Sequence, residues 1–247
     1  DMDKPYKTMD SNYTESVWWA FKTLFDKGLI YQGFKVMPLC PHCGTTLSNF
    51  EVNLGYKDIS DISVYVQFKL KNKPNTSLVA WTTTPWTLPG NVALAVGKDT
   101  DYVEVEKLQN IDSSTLPERY IVAKEIFLSK TRRDDKSEIY WWNDLNFAEA
   151  FLIKEEIKGK DLVGLEYEPL FDFYSNDKSL KNRENGWKVY SADFVTTEEG
   201  TGIVHIAPAF GGDDYELSQK ENLPFVQHVD IEGKMKEETK NFFGMLV

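Results

Sequence analysis

Between Ile62 and Leu70 apolar and polar residues alternate along the chain. Ile62, Val64, Val66, Phe68 and Leu70 share one face, and Ser63, Gln67 and Lys69 share the other with Tyr65, which predicts a half-buried strand. The runs "SLVAWTT" (77–83), "NVALAV" (91–96) and "DYVEVEKL" (101–108) extend the strand-rich pattern, and "KPN", "PG" and "GKDTD" break it. Residues 12–27 change period. Val17, Phe21, Leu24 and Phe25 fall on one helical face, and Gly28 is placed to end the helix. "LIYQGFKVMPL" (29–39) reads as a strand, and "PERYIVAKEIFLSK" (117–130) as a strand running into a short helix. "WKVYSADFVT" (187–196) and "GIVHIA" (202–207) read as strands, "GGDDYELSQKEN" (211–222) as a helix start, and "PFVQHVDIEGKM" (224–235) as a closing strand and turn. The charged runs "KTRRDDKSE" (130–138) and "SNDKSLKNRENG" (175–186) read as solvated loops within a poorly legible stretch, 107–186. Many short strands with few helices predict an α+β, mainly β, barrel-like domain with peripheral helices.

Composition changes this picture little. The 247 residues, 41% hydrophobic and 14% aromatic, suffice for one large domain with appendages. No stretch approaches the roughly 18 apolar residues of a membrane helix. The polar, acidic start "DMDKPYKTMD" is no signal peptide, and without an initial methionine it reads as an excised fragment, with the cytoplasm as the default compartment. A net charge of -11 argues against a free-standing nucleic-acid binder, though it leaves room for a nucleic-acid substrate held mainly by other domains.

Three stretches carry candidate chemistry. In "CPHC", Cys40 and Cys43 form a knuckle-type turn able to give two thiolates to zinc, but a structural site takes four ligands and the chain has no other cysteine. Half a zinc site and a plain turn with two thiols are both open readings. "WTTTPWTLPGN" (81–91) runs a strand into proline, leaving the hydroxyls of Thr82, Thr83 and Thr84 at its end, with Thr87 between Pro85 and Pro89. An ordinary strand end accounts for it equally. "GTGIVHIAPAFGGDDYE" (200–216) puts His205 on a strand and opens a helix at Asp213 and Asp214. A buried histidine satisfied by a backbone group accounts for the first, and helix capping accounts for one of the aspartates. Gly200 and Gly202 allow a close backbone approach. The chain contains no G-x-S-x-G, P-loop or dinucleotide fingerprint.

Together, "WTTTPWTLPGNVALAV" and "GTGIVHIAPAFGGDDYE" resemble the editing domain of isoleucyl-tRNA synthetases, the CP1 insertion of the class I catalytic fold. Valyl and leucyl enzymes share the architecture, but their threonine stretches look more like "TTRP", whereas Thr84-Pro85-Trp86 stands here. The resemblance implies hydrolysis of the ester of valyl-tRNA for isoleucine, with isoleucine excluded by size, and no amino-acid activation by this segment. The alternatives are a non-catalytic tRNA-docking or zinc-knuckle module and the editing domain of the related valyl or leucyl enzymes. The resemblance further implies that Thr82, Thr83 and Thr84 line the pocket, with Trp86 and Thr87 shaping the same wall. It casts Asn91 in hydrolysis, His205 as the size limit and Asp214 as the holder of the substrate ammonium. Thr84, Asn91 and Asp214 are thus the expected catalytic set. Editing would need no cofactor, and zinc on Cys40 and Cys43 would take its other ligands beyond Val247. The expected partners are the 3′ end of the tRNA and the rest of the synthetase chain, with no membrane, and the segment is expected to be monomeric. By this resemblance residues 58–235 form the core, and residues 1–57 and 236–247 form connecting arms that run side by side.

Overall fold

The computed structural model describes residues 5–108, 117–133, 139–142 and 149–247, with only the backbone of Trp141 and Trp142. The chain divides into two compact units, residues 1–35 and 36–247. The first unit is built on α1 (Ser11–Asp26). The α1 helix closes as the spacing predicts, with the Gly28 N–H bonded to the Phe25 carbonyl and the Leu29 N–H to the Leu24 carbonyl. Its apolar face, Val17, Phe21, Leu24 and Phe25, is exposed.

The second unit opens on a two-stranded hairpin, β1 (Leu39–Cys40) and β2 (Thr45–Thr46), followed by α2 (Asn49–Leu54) under a Ser48–Glu51 capping box. The strand expected over 29–39 is therefore only its last residue plus Cys40. The rest finds no ladder partner among the described residues, and an extended segment without one gains no strand hydrogen bonds.

Seven strands then make one sheet. They are β3 (Val64–Lys69), β4 (Thr76–Thr82), β6 (Asp101–Leu108), β7 (Arg119–Ala123), β8 (Thr131–Arg133), β9 (Ile139–Trp142) and β10 (Glu149–Lys158), in the order β3-β4-β7-β6-β10-β9-β8. Only the β4–β7 pairing is parallel. A smaller sheet sets β5 (Ala93–Val96) between β11 (Lys188–Ser191), parallel to it, and β12 (Ile203–Ile206), antiparallel. Helices α3 (Lys124–Lys130), α4 (Gly159–Leu162) and α5 (Gly212–Glu221) lie around them. The architecture is α+β and mainly β, as the strand pattern predicts. Among the described residues the two ladders remain separate sheets that face each other and do not close into one hydrogen-bonded barrel.

The period-2 rule explains which residues meet between these sheets. In β4, Leu78 and Ala80 enter the core cluster that also takes Leu94 and Val96 of β5 and Ile203 of β12. Thr82 lies on the same face of β4 as Leu78 and Ala80, and His205 on the same face of β12 as Ile203. The alternate residues of the small sheet, Ala93, Ala95 and Ile206, pack instead with Leu217 of α5. All four residues of β5 are buried, so it reads as a continuous apolar run. β3 alternates as predicted from Val64 to Lys69, with Phe68 fully buried, but the strand predicted from Ile62 starts two residues late and leaves Ile62 exposed at 70%.

Three segments differ from expectation. β10 lies in the stretch that sequence left unread, because its charges hide the pattern. Lys107 pairs with Glu149, Lys154 with Glu106, and Lys158 with Asp101, so charges on both faces are offset across the strands. Of the run read as a loop over 130–138, Thr131–Arg133 form β8, and 134–138 lie outside the described residues. The strand read over 187–196 ends at Ser191, and the closing segment 224–235 has isolated bridges, Val229–Met235 and Lys234–Leu246, in place of a strand.

Gly202 shows how tightly the sheets join. It holds φ +71°, and a Cβ there would stand 2.4 Å from Ala123 Cβ, where the Tyr102 hydroxyl also bonds the Gly202 carbonyl at 2.6 Å. Gly202→Ala is expected to cost about 2–5 kcal/mol, from left-handed strain plus overpacking. Equilibrium unfolding of the variant checks this, and an unchanged midpoint refutes it.

Candidate functional site

Proline at 85 ends β4 and turns the chain through a short 3₁₀ segment, Pro85–Gly90. The turn folds Thr87 back beside Thr84, and the Thr87 N–H and hydroxyl both bond the Thr84 carbonyl, at 3.0 and 2.8 Å. The Thr84 N–H bonds Thr82 Oγ1 at 3.1 Å, and Thr84 Oγ1 lies 3.3 Å from Thr82 Oγ1. The threonine run is thus a local knot of hydroxyls that seals the strand end.

This knot meets the second motif across 118 residues of sequence. Thr87 Oγ1 and His205 Nε2 are 2.9 Å apart, and both residues are buried. The Thr87 hydroxyl proton is already directed at the Thr84 carbonyl, so the bond assigns His205 the Nε2–H tautomer, with Nε2 donating. Nδ1 then keeps a lone pair without a hydrogen-bond partner, a cheaper vacancy than an orphaned N–H. Burial pushes His205 down to about 4, with His228 adding to the effect, so the ring is neutral at physiological pH.

The loop after β12 brings in Asp214. Its Oδ2 accepts the Ala207 N–H at 2.9 Å. A Cβ at Gly211 would lie 2.9 Å from the Asp214 carboxyl carbon, so glycine there lets the carboxylate fold back over the backbone. Burial raises Asp214 to about 6, the Ala207 N–H opposes the rise, and Asp213 adds to it. Neither aspartate caps α5, contrary to expectation. The helix begins after Gly211 without a side-chain cap, because Asp214 is committed to Ala207. Asp213 sits exposed in the first turn, where its charge only complements the helix dipole. Asp213→Ala is therefore expected to cost less than about 1 kcal/mol and leave the cleft intact, which a thermal melt tests.

These groups line one cleft of about 240 Å³: Thr82, Thr83, Thr84, Thr87, His205 and Asp214, with Trp81, Val204, Ala207 and Phe210. Six of the expected residues are therefore brought together. Asn91 and Trp86 are not among the lining residues. Asn91 is buried, with Nδ2 donating to the Ala93 carbonyl at 2.9 Å and Oδ1 accepting from the Tyr167 hydroxyl at 2.7 Å. Both ends of its amide are engaged where the turn enters β5, so it braces the fold and does not face the cleft. Trp86 stands behind the wall, edge-on to Phe210 at 5.3 Å. Phe210 escaped the sequence reading, and its one signal was an aromatic immediately before the Gly-Gly pair.

Cys40 and Cys43 sit in the β1–β2 hairpin. Hydrogen bonds from Cys43 hold Cys40 below the usual thiol value, while Cys40 pushes Cys43 up. The two thiols thus act on one another. Among the described residues no group of three or more His, Cys, Asp or Glu is placed to hold a metal. Among the described residues no helix is long and apolar enough to cross a membrane. A second hollow, of about 270 Å³, lies against the seven-stranded sheet, where Val79, Val105, Val122, Phe127 and Phe151 line it together with Tyr65, Gln67, Lys107, Tyr120, Glu149 and Thr201.

Comparison with known proteins bears on what the cleft serves. Isoleucine–tRNA ligases of Bdellovibrio bacteriovorus and Clostridium tetani are 42% and 44% identical to the chain over its whole length. The chain spans 21% of each of those proteins. The crystal structure of the P. knowlesi cytosolic leucyl-tRNA synthetase editing domain aligns with a TM-score of 0.45 at 15% identity, over 65% of this chain and 64% of that one. Residues 1–240 match the family described as tRNA synthetases class I (I, L, M and V), and the chain belongs to that family.

Proposed function

We propose that this chain is the editing domain of an isoleucine–tRNA ligase and hydrolyses the ester that joins valine to the tRNA for isoleucine. The observation that carries this reading is the meeting, in one small cleft, of the threonine hydroxyls, a neutral histidine and a half-buried carboxylate. A synthetic pocket distinguishes valine from isoleucine by one methylene, worth about 1–3 kcal/mol, so a second sieve is needed. An aminoacyl ester is already activated by its nearby ammonium, and hydrolysis then requires a positioned water more than a protein nucleophile.

Each lining residue has a task in this reading. Asp214 receives the substrate ammonium in a charge-assisted hydrogen bond. His205, fixed by Thr87, forms the wall against which the amino-acid side chain is measured. Thr82, Thr83 and Thr84 orient the water and the terminal adenosine. Asn91 and Trp86 support the turn that carries Thr87. The same reading takes residues 1–57 and 236–247 as arms joining the core, 58–235, to the remainder of a cytoplasmic synthetase. It also takes Cys40 and Cys43 as half of a zinc site completed from outside the chain. The tRNA is held mainly by that remainder, since this chain is acidic overall, with a net charge of -11.

The test is deacylation of valyl-tRNA by the full-length synthetase and by its site variants. Its pH dependence is fixed by Asp214. The working form is the carboxylate, and the free-site value of about 6 lies above the ordinary 3.8. The kcat/KM for the valyl ester is therefore expected to fall as pH drops through about 6, with a one-proton slope, and His205 adds no limb above about 4. A flat profile from pH 7 to 5 refutes Asp214 as the ammonium ligand.

A further inference from the structure

His228 takes no part in the cleft, yet it is 0% exposed and touches the back of both motifs. Its Nε2 lies 2.9 Å from the Trp86 carbonyl, which only accepts, so the ring donates from Nε2. Its face meets Phe210 at 4.7 Å between ring centroids, and Phe210 lines the cleft. A Cβ at Gly90 would stand 2.6 Å from His228 Nδ1, so the ring is seated directly on the end of the turn that carries Thr87. One imidazole thus contacts the Pro85–Gly90 turn at two points and the loop between β12 and α5 at a third. The Thr87–His205 bond is set by the first of these segments, and Phe210 belongs to the second. Burial also lowers His228 from its ordinary value, which keeps the ring neutral beside His205.

We infer that His228 is a positioning residue for the editing site: its Nε2–H ties the 85–90 turn to the Phe210 loop and thereby sets the spacing of the cleft walls. This rests on the editing function proposed above. The contact is specific to a donor at that place. Leucine would fill much of the space and leave the Trp86 carbonyl without its partner, whereas glutamine can place an amide N–H near Nε2.

The experiment uses the full-length synthetase with His228→Leu, His228→Gln and Gly90→Ala. Deacylation of valyl- and isoleucyl-tRNA is measured, with ATP–pyrophosphate exchange as a control on the rest of the enzyme. His228→Leu is expected to lose about 10–100-fold in valyl-tRNA deacylation, since small misplacements of a site cost that much, with exchange unchanged. His228→Gln should recover most of the loss. Gly90→Ala, which displaces the ring without removing it, should reproduce the loss and gives the answer if His228→Leu does not accumulate folded. Unchanged deacylation in His228→Leu or in Gly90→Ala overturns the inference. So does equal loss in His228→Leu and His228→Gln, which would assign the effect to packing alone. Failure of the unmodified enzyme to clear valyl-tRNA overturns the editing function itself, a separate outcome.

Discussion

Asp214→Ala is expected to be the most damaging single change to hydrolysis of the valyl ester. The carboxylate is the one anionic group lining the cleft, and the substrate brings an ammonium. A charge-assisted hydrogen bond of about 1.5–3 kcal/mol corresponds to roughly 10–100-fold in rate, and an ester no longer held against its water loses more. The fold should not explain the loss. The Asp214 value is raised in the folded protein, so burial favours the protonated form. The stability linked to this group is fully present below the ordinary 3.8 and is lost as pH rises through about 6. At pH 8 the ionised side chain is a liability on the order of 1–3 kcal/mol. Asp214→Asn keeps an oxygen for the Ala207 N–H without the charge, and should melt at or above the parent temperature while remaining inactive. The measurements are valyl-tRNA deacylation and thermal melts at pH 8. An Asp214→Asn variant with parental activity shows that the aspartate does not hold the ammonium.

His205→Ala is expected to admit isoleucine. The ring is 8% exposed and is held by Thr87 on one side. Removing it opens space of one or more methylenes, which is the whole difference between the two amino acids. Nothing else in the lining takes its place, because Thr87 loses its partner and the side chain of Ile203 points along the same face into the core. Such a large-to-small change at a buried ring costs up to about 5 kcal/mol of stability, so thermal melts accompany the assay. Isoleucyl-tRNA deacylation should rise from background to within about tenfold of the valyl rate, a change of the size one pocket methylene commands. The two aminoacyl-tRNAs are compared at equal enzyme concentration. Valyl-tRNA cleared and isoleucyl-tRNA untouched would remove His205 as the size limit.

Local sequence chemistry determined a good part of this protein. Alternation marked β3, a β-branched and aromatic run marked β4, and a proline marked the turn just beyond it. The same period of two put His205 on the face of β12 that Ile203 shares, and Thr82 on the face of β4 that Leu78 and Ala80 share. Those rules need only neighbours in the chain. The family resemblance of the two motifs, more than these rules, named six of the cleft's lining residues before any contact was known.

What remained was decided by partners distant in sequence. β10 is a strand because its backbone pairs with β6 and β9 while its charges find opposite charges on β6, and no local pattern announces that. Asn91 stands beside the threonine turn in sequence, yet Tyr167, 76 residues on, takes its amide oxygen and holds it toward the core. Asp214 folds back onto the Ala207 N–H, and His228 gained a place through the Trp86 carbonyl, 142 residues earlier. Buried polar groups must find hydrogen-bond partners, and which partner is in reach is a property of the folded chain, not of the sequence around either one.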